Sequence, residues 1–238
     1  MNKSINISAL SIGYQKKTTL KNINLTSNKG QMIGVFGRNG QGKSTLLKTI
    51  SGLLPPISGQ FYFDKVNVLS LSEKERAKLL SIVFTTQPGI GAITVKDFVA
   101  FGRFPYTNWL GINKAKDCSE INKALELCKL QKFANRNYQE LSDGEKQKVN
   151  IARAIAQNTP LIILDEPTVH LDLINKVEVL KLLKELVETH HKTVIISTHQ
   201  MEYALQICDE IWLINEGITN STTTEIIEKE KLTQLFND

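Results

Sequence analysis

A glycine-rich segment, Gly37–Ser44, constrains the fold of this chain more than any other part of the sequence. Its residues fit the phosphate-loop pattern G-x-x-x-x-G-K-[ST]. The apolar run Met32–Phe36 precedes the loop, and Thr45–Ile50 is predicted to begin a helix. Strand, loop and helix in that order are the context in which this pattern binds phosphate. The sequence therefore predicts an α/β fold with a phosphate site at the end of a strand.

The chemistry of the loop follows from its backbone. We expect Gly37, Gly40 and Gly42 to adopt positive φ and to let the backbone approach a ligand without a Cβ in the way. Successive N–H groups would point into one concavity, and the following helix would add the positive end of its dipole. Lys43 would reach the β- and γ-phosphates, and the Ser44 hydroxyl would ligate Mg²⁺. The alternative is a plain glycine turn with a capping lysine.

The size and composition of the chain fit a globular protein, because 238 residues with 41% hydrophobic side chains can bury a core. No apolar stretch approaches the roughly 20 residues that span a bilayer, and no signal-peptide segment follows Met1, so we expect a cytosolic protein. Cys118, Cys128 and Cys208 show no C-x-x-C spacing and indicate reduced thiols. The formal charge of +5 permits anionic partners and requires none.

Apolar patterning predicts two kinds of strand. Ile5–Ile12 and Leu20–Leu25 alternate, which indicates an antiparallel sheet attached to a parallel one. Leu161–Asp165 is a short apolar run that ends in a carboxylate, as expected for a parallel strand buried on both sides, and Thr193–Ser197 is predicted as another buried strand. Gln60–Phe63 is predicted as a further strand. The predicted helices are Ser72–Leu80, Val95–Gly102, Asp117–Leu130, Leu173–Glu188 and a polar tail over Glu225–Asp238. The helices between residues 89 and 157 indicate a helical insertion in the nucleotide-binding core.

Two adjacent carboxylates, Asp165 and Glu166, end the apolar strand that begins at Leu161. A strand end beside a phosphate loop is where a magnesium partner belongs. Asp165 would hold the magnesium shell, directly or through water, and Glu166 would act as the general base on the attacking water. The alternative is a pair of solvated acids at a strand end.

Ser142 is predicted to cap a helix that runs to Ala156, with Glu145 three residues later completing a capping box. In isolation this pattern indicates only a helix start, although such a start also offers N–H donors and a positive dipole end.

Taken together and in this order, these motifs resemble the ATP-binding subunit of an ATP-binding-cassette (ABC) transporter over nearly the whole chain. The matching segments are the Walker A loop Gly37–Ser44, the signature Leu141–Glu145, the Walker B strand Leu161–Glu166, the D-loop Leu171–Asp172 and the switch histidine His199. The signature departs from the family pattern LSGGQ, because Asp143 and Glu145 replace its usual glycine and glutamine.

The resemblance implies the ABC ATPase fold, a P-loop (RecA-like) core with an antiparallel β subdomain and a helical insertion, in one domain over residues 1–238. Residues 1–88 and 158–238 would form the core, and residues 89–157 the helical subdomain. It also implies a head-to-tail homodimer with two ATP molecules sandwiched between the subunits. Ser142–Gly144 of one subunit would face the γ-phosphate that Lys43 of the other subunit holds.

The resemblance assigns roles to residues of this sequence. His199 would hydrogen-bond the γ-phosphate, and Tyr14 would stack on adenine; the alternatives are a capped loop histidine and a turn tyrosine. The full nucleotide-binding set is Tyr14, Gly37, Arg38, Asn39, Gly40, Gln41, Gly42, Lys43, Ser44, Thr45, Ser142 and Gly144. The catalytic set is Glu166, His199 and Gln87, and the magnesium set is Ser44, Asp165 and Gln87.

The glutamine that the family places between the core and the helical part is displaced here. The segment is Phe84-Thr85-Thr86-Gln87-Pro88, and the spacing to Thr94 puts the family position nearer Thr85. Gln87 would act through a shifted loop, or Thr85 would substitute, although a threonine hydroxyl reaches less far. We predict that Gln87 fills the role.

The segment Val99–Tyr106 resembles the iron-siderophore, haem and vitamin B12 importer ATPases, and so does the signature region. The resemblance implies a polytopic permease docked near Gln87–Tyr106, where apolar and aromatic residues with Arg103 suit a docking groove; ordinary helical core is the alternative. A substrate-binding protein would act indirectly, with the ATPase peripheral at the cytoplasmic face of the inner membrane. The rival hypothesis is a soluble ABC ATPase acting on nucleic acid or ribosomes, and a non-catalytic nucleotide sensor is a third class. We expect no nucleic acid partner.

Overall fold

A computed structural model of the chain describes residues 4–14, 17–85, 91–107, 114–169 and 171–228. The strands within these ranges are β1 (Ile5–Tyr14), β2 (Lys17–Ser27), β3 (Met32–Phe36), β4 (Ser58–Phe63), β5 (Val66–Asn67), β6 (Leu80–Val83), β7 (Leu161–Asp165), β8 (Thr193–Thr198), β9 (Glu210–Asn215) and β10 (Gly217–Thr222). The helices are α1 (Lys43–Ile50), α2 (Glu73–Leu79), α3 (Val95–Ala100), α4 (Ala115–Leu127), α5 (Asp143–Ala156), α6 (Leu173–Glu188), α7 (Met201–Ile207) and α8 (Thr223–Glu228).

The larger sheet has six strands in the order β10-β9-β3-β8-β7-β6. All its neighbours pair in parallel except β10, which runs antiparallel to β9. β7 and β8 are buried along their whole length, which confirms the prediction made from their apolar runs. Because β3 and β7 end at the same edge of this sheet, the loops that follow them are brought together.

The smaller sheet is antiparallel in the order β2-β1-β4-β5, as the alternation in the first 25 residues predicted. Its apolar face shares one buried cluster with the side of the larger sheet that carries Ile33 and Val35. Helix α1 lies in the same cluster through Leu46, Leu47 and Ile50. The phosphate loop is therefore anchored at both ends in a well-packed core.

The other face of the larger sheet packs against helices. Val83, Ile162 and Val194 share a buried cluster with residues of α3, α4, α5 and α6. Arg153 of α5 ties this layer to the sheet by donating to the Ile82 carbonyl at 2.7 Å. The division into a core and a helical part at residues 89–157 stays a prediction. None of the helices within the described ranges is long and apolar enough to cross a membrane.

Element boundaries differ from the predictions where tertiary packing overrides local pattern. Leu80, predicted as the last residue of a helix, instead begins β6, paired in parallel with β7. α3 ends at Ala100, where a 3₁₀-helix over Phe101–Tyr106 containing Pro105 replaces the predicted last turn. α1 begins at Lys43, two residues before the predicted start. Of the predicted tail helix only the segment up to Glu228 is described; the remainder lies outside the described residues.

Candidate functional site

The phosphate loop connects β3 to α1, and its backbone confirms two of the three glycine predictions. Gly40 and Gly42 have φ of 82° and 104°, a region that side chains with a Cβ avoid. The prediction for Gly37 was wrong, since this residue is not among the glycines with positive φ. Its role is close packing, because a Cβ there would lie 2.9 Å from the Gln41 Oε1 atom and 3.1 Å from the Ile214 Cβ atom.

The tip of the loop is closed by hydrogen bonds between Arg38 and Gln41. The Arg38 N–H donates to the Gln41 side-chain oxygen at 2.6 Å, and the Gln41 N–H donates to the Arg38 carbonyl at 3.3 Å. Arg38, Asn39 and Gly40 are exposed. This arrangement places the backbone from Asn39 to Thr45 along the wall of an open groove.

Lys43 is folded back over the loop with only 5% of its surface exposed. Its ammonium group donates to the Gly37 carbonyl at 2.7 Å and to the Arg38 carbonyl at 3.2 Å. Burial lowers the pKa of Lys43, while the charges of Glu166 and Asp165 act in the opposite direction. A cation thus lies among carbonyl oxygens that an anionic phosphate could replace as its partners.

Asp165 ends β7 as a buried carboxylate with two hydroxyl donors on one oxygen. Its Oδ1 atom accepts from the Ser44 hydroxyl at 3.0 Å and from the Ser197 hydroxyl at 2.6 Å. Ser44 and Asp165 supply the oxygen ligands that Mg²⁺ prefers, and Mg²⁺ sites in nucleotide-binding proteins use one or two such groups plus substrate phosphates. Within the part of the chain that the structure describes, no group of three or more His, Cys, Asp or Glu residues could hold a metal ion. The residues present therefore fit a magnesium ion shared with a phosphate ligand.

Glu166 lies directly between two cationic or potentially cationic groups. Its Oε1 atom is 4.0 Å from the Lys43 ammonium, and its Oε2 atom is 3.3 Å from the His199 Nδ1 atom. Its backbone φ of 48° is uncommon for a residue with a side chain. The carboxylate is 20% exposed and lines the groove in front of the loop, and the imidazole is 42% exposed.

The groove in front of the loop has a volume of about 710 Å³. Tyr14, half exposed, lies on its wall together with Thr18 and Thr19 of β2. A second groove of about 730 Å³, lined by α4 and α6 and including Lys123 and His190, involves none of the predicted site residues.

Ser142 caps α5, and the predicted capping box with Glu145 is confirmed. The Glu145 N–H donates to the Ser142 hydroxyl at 3.3 Å, and the Ser142 N–H donates to the Glu145 carboxylate at 2.9 Å. The backbone N–H and the hydroxyl of Ser142 lower the pKa of Glu145, in spite of partial burial. Gly144 packs so closely on Asn175 of α6 that a Cβ would lie 2.6 Å from the Asn175 side chain. Neither Ser142 nor Gly144 lies among the described residues that line the groove.

The structure places Thr85 beside the site, where its hydroxyl donates to the Asp165 carbonyl at 2.8 Å. Gln87, the residue that we predicted for this role, lies outside the described residues. The choice between the two stays a prediction.

Comparison with known proteins identifies the family. The model of the family described as ABC transporter matches residues 20–169, which include the phosphate loop, the signature segment and the Asp165–Glu166 pair. This chain belongs to the ABC transporter family.

Two curated relatives and two solved structures illustrate the similarity. The petrobactin import ATP-binding protein of Bacillus subtilis is 37% identical over 94% of this chain and 89% of its own length. The achromobactin transport ATP-binding protein of Dickeya dadantii is 34% identical over 96% of this chain and 86% of its own. A chain of a transporter assigned to the metal-chelate type, in an inward-facing conformation, is 33% identical with a TM-score of 0.86. The match covers 99% of this chain and 90% of that chain. A dimeric cassette in a post-hydrolysis state bound to ADP and Pi is 28% identical with a TM-score of 0.80, and the match covers 92% of this chain and 98% of that cassette.

The predicted fold and enzyme class are therefore confirmed. The protein is an ABC ATPase cassette, the ATP-hydrolysing subunit of a transporter. Its relatives and structural neighbours do not favour the alternative of an ATPase acting on nucleic acid.

Sequence reasoning missed several residues of the cassette that shape the site. The Ser197 hydroxyl of β8 donates to the Asp165 carboxylate. A Cβ on Gly42 would lie 2.6 Å from the Thr19 side chain of β2, and a Cβ on Gly37 would lie 3.1 Å from the Ile214 side chain. The run Glu210–Asn215, apolar over four residues and followed by Gly217, was a usable strand signal for Ile214. Ser197, which follows the apolar run Val194–Ile196, carries no such signal.

Proposed function

We propose that this cassette powers the import of an iron-siderophore, haem or cobalamin-type complex through a polytopic permease. The relatives named for petrobactin import and achromobactin transport, and the neighbour of metal-chelate type, support this cargo class. The cassette would sit at the cytoplasmic face of the membrane as a peripheral subunit. A separate substrate-binding protein would deliver the cargo to the permease.

The convergence of Lys43, Ser44, Asp165, Glu166 and His199 at the end of β3 and β7 carries the proposal for the ATP site. The phosphates of ATP would replace the loop carbonyls as partners of Lys43, and the loop N–H groups and the α1 dipole would bind the remaining phosphate oxygens. Tyr14, which lines the same groove, would stack on the adenine ring.

Ser44 and Asp165 would hold Mg²⁺, with Gln87 or Thr85 beside them. When bound, the metal ion neutralises charge on the β- and γ-phosphates and so supports transfer to water. The Ser44 hydrogen is directed at Asp165, which leaves the lone pairs of the Ser44 oxygen for a ligand.

Glu166 would take the proton of the attacking water as general base. Its carboxylate lies 4.0 Å from the Lys43 ammonium and 3.3 Å from the His199 imidazole, beside the groove from which the water would attack. His199, 42% exposed, would contact the γ-phosphate and report its presence through the same carboxylate.

A second copy of the chain would complete each ATP site. Ser142 and Gly144 are absent from the described lining of the groove that holds Lys43, and in the proposed dimer they would reach the γ-phosphate from the other copy. The solved cassette with a dimeric, ADP- and Pi-bound structure supports a dimer, and a head-to-tail arrangement would bring each signature segment to the other copy's groove. ATP would favour this closed dimer through contacts that only the dimer makes, and hydrolysis would release it.

The permease would dock on the exposed aromatic residues that follow α3. Phe104 is 58% exposed and its ring contacts that of the partly exposed Phe101 at a tilt of 46°, with ring centroids 5.0 Å apart. Arg103, predicted as part of this groove, is 3% exposed and points inward to Asp117 at 2.9 Å. Its positive charge is therefore used inside the protein, and that part of the prediction was wrong.

Substitution of Glu166 tests the ATPase assignment. Glu166→Gln should lower kcat by about 10²- to 10⁴-fold, the usual contribution of a general base, while ATP still binds. Steady-state ATP hydrolysis and nucleotide affinity of the purified protein measure the two effects. Glu188→Gln, at an exposed ion pair with Lys184 on α6, is the matched control and should leave both unchanged. Full turnover by Glu166→Gln would remove this residue from its role.

Deletion of the gene, followed by uptake assays, tests the cargo. Uptake of one of the three complexes, iron-siderophore, haem or cobalamin, should be lost and should return with the wild-type chain but not with Glu166→Gln. If uptake of all three complexes survives the deletion, the proposed cargo class is wrong and the ATPase assignment stands. Copurification of a polytopic membrane protein with the cassette would identify the permease.

A further inference from the structure

Ser197 is a buried serine in β8 that has no role in the mechanism described above. β8 runs parallel to β7, and the register places Ser197 directly beside Asp165. The serine has no exposed surface. Its position in the middle of the six-stranded sheet means that its hydroxyl must find partners within the protein.

The hydroxyl of Ser197 bridges the two acidic residues. It donates to the Asp165 Oδ1 atom at 2.6 Å and accepts from the Glu166 backbone N–H at 2.9 Å. One hydroxyl can do both, because it has one hydrogen and two lone pairs. The first contact is short, as expected for a hydrogen bond to a carboxylate.

Each contact restrains a group on which the proposed chemistry depends. Together with Ser44 at 3.0 Å, the bond to Oδ1 fixes the rotation of the Asp165 carboxylate. The bond to the amide holds the backbone of Glu166, whose φ of 48° costs energy for a residue with a side chain.

We propose that Ser197 is a positioning residue for ATP hydrolysis, which sets the Asp165 carboxylate toward the metal and the Glu166 backbone toward the attacking water. This inference rests on the roles proposed above for Asp165 and Glu166. The hydroxyl does not touch the reacting atoms, so its effect acts through these two residues.

Ser81 provides a matched control for a purely structural role. It lies in β6, the other neighbour of β7, and is 1% exposed. Its hydroxyl accepts from the Thr159 hydroxyl at 3.1 Å. Its register partner in β7 is Ile162, three residues before Asp165, so its loss removes a buried hydrogen bond from the same sheet without touching the site.

The experiment compares Ser197→Ala, Ser197→Thr, Ser197→Val and Ser81→Ala in the cassette copurified with its permease. The measurements are kcat, ATP affinity and the Mg²⁺ concentration for half-maximal activity. Ser197→Ala should lower kcat about tenfold, which is the scale known for groups that orient metal ligands. It should also raise the Mg²⁺ concentration for half-maximal activity, while the ATP affinity stays within about twofold of wild type. Ser81→Ala should leave kcat within about twofold.

Thr and Val at position 197 add the same bulk to the core, so their difference isolates the hydroxyl. Ser197→Thr should keep several-fold more ATPase activity than Ser197→Val. Equal activity of these two variants, or a kcat for Ser197→Ala within about twofold of wild type, would overturn the proposal. Failure of the proposed function has another signature, since it appears as wild-type turnover by Glu166→Gln whichever way the Ser197 variants behave.

Discussion

At the scale of single residues, the chain buries charged side chains both in the ATP site and in the helical layer. Lys43 is buried among carbonyls in the site, and Arg103 is buried against Asp117 in the helical layer. The Arg103 guanidinium also donates to the Ala156 carbonyl at 2.7 Å and lies over the Tyr106 ring. Removing one partner from such a pair leaves an uncompensated charge, which costs more than the pair contributes.

Asp117→Asn tests the buried pair through its pH dependence. Burial raises the pKa of Asp117, but hydrogen bonds from Lys114 and Arg103 and the charge of Arg103 outweigh it and lower the pKa below the ordinary 3.8. The ionised carboxylate therefore stabilises the fold above pH of about 4, and this stabilisation is lost as pH falls through the lowered pKa.

The free energy of unfolding should fall by about 3–5 kcal/mol in Asp117→Asn at pH 7. The difference from wild type should shrink below pH of about 4, as measured by denaturant unfolding over that range. Glu140→Gln, at an exposed pair with Arg136, is the control and should change stability by less than about 1 kcal/mol. A constant difference at all pH values would contradict this account.

At the scale of elements, two helices begin with the same capping box but differ in what they do. Ser72 and Glu75 open α2 with the same set of contacts that Ser142 and Glu145 make at α5. The capping box thus explains why each helix starts where it does. The proposed role of α5 in ATP binding, which α2 does not share, depends only on where α5 lies in the fold.

Ser142→Ala and Ser72→Ala should therefore destabilise the protein to a similar degree, by about 1 kcal/mol each, because each removes a helix cap. ATPase activity should separate them. Ser142→Ala should lower it by about tenfold, equivalent to about 1.4 kcal/mol of lost transition-state contact, whereas Ser72→Ala should leave it within about twofold. Thermal unfolding and steady-state hydrolysis measure the two effects, and equal activities would show that the Ser142 hydroxyl makes no contact with nucleotide.

At the scale of the whole molecule, we propose that the cassette supplies one half of each of two ATP sites. The phosphate loop and the carboxylates lie at one sheet edge, and the start of α5 packs instead on Asn175 at the start of α6. A protomer would therefore bind the triphosphate on one side and offer its signature segment to a partner.

Mixing two inactive variants tests this arrangement. In a Glu166→Gln background, neither Lys43→Ala nor Ser142→Ala alone should form a stable ATP-dependent dimer. Mixed in equal amounts, they should form dimers in which one site combines an intact Lys43 with an intact Ser142 of the other chain. Size-exclusion chromatography with light scattering measures the dimer fraction. A mixture that never exceeds either variant alone would contradict the head-to-tail arrangement.

The sequence by itself determined the phosphate loop, the buried parallel strands, the acidic pair and the capped helix at Ser142, because each depends on a pattern within about 15 residues. Local patterns also explain why the fold class and the family could be predicted. They failed at Leu80, where pairing with β7 decides the structure.

Only the tertiary structure decided which atoms meet. Ser197 reaches Asp165 because β8 lies beside β7 in one register, and Arg103 turns inward because Asp117, 14 residues away, lies beneath it. These contacts join residues far apart in the chain, and their energies depend on distance and burial that no local pattern contains.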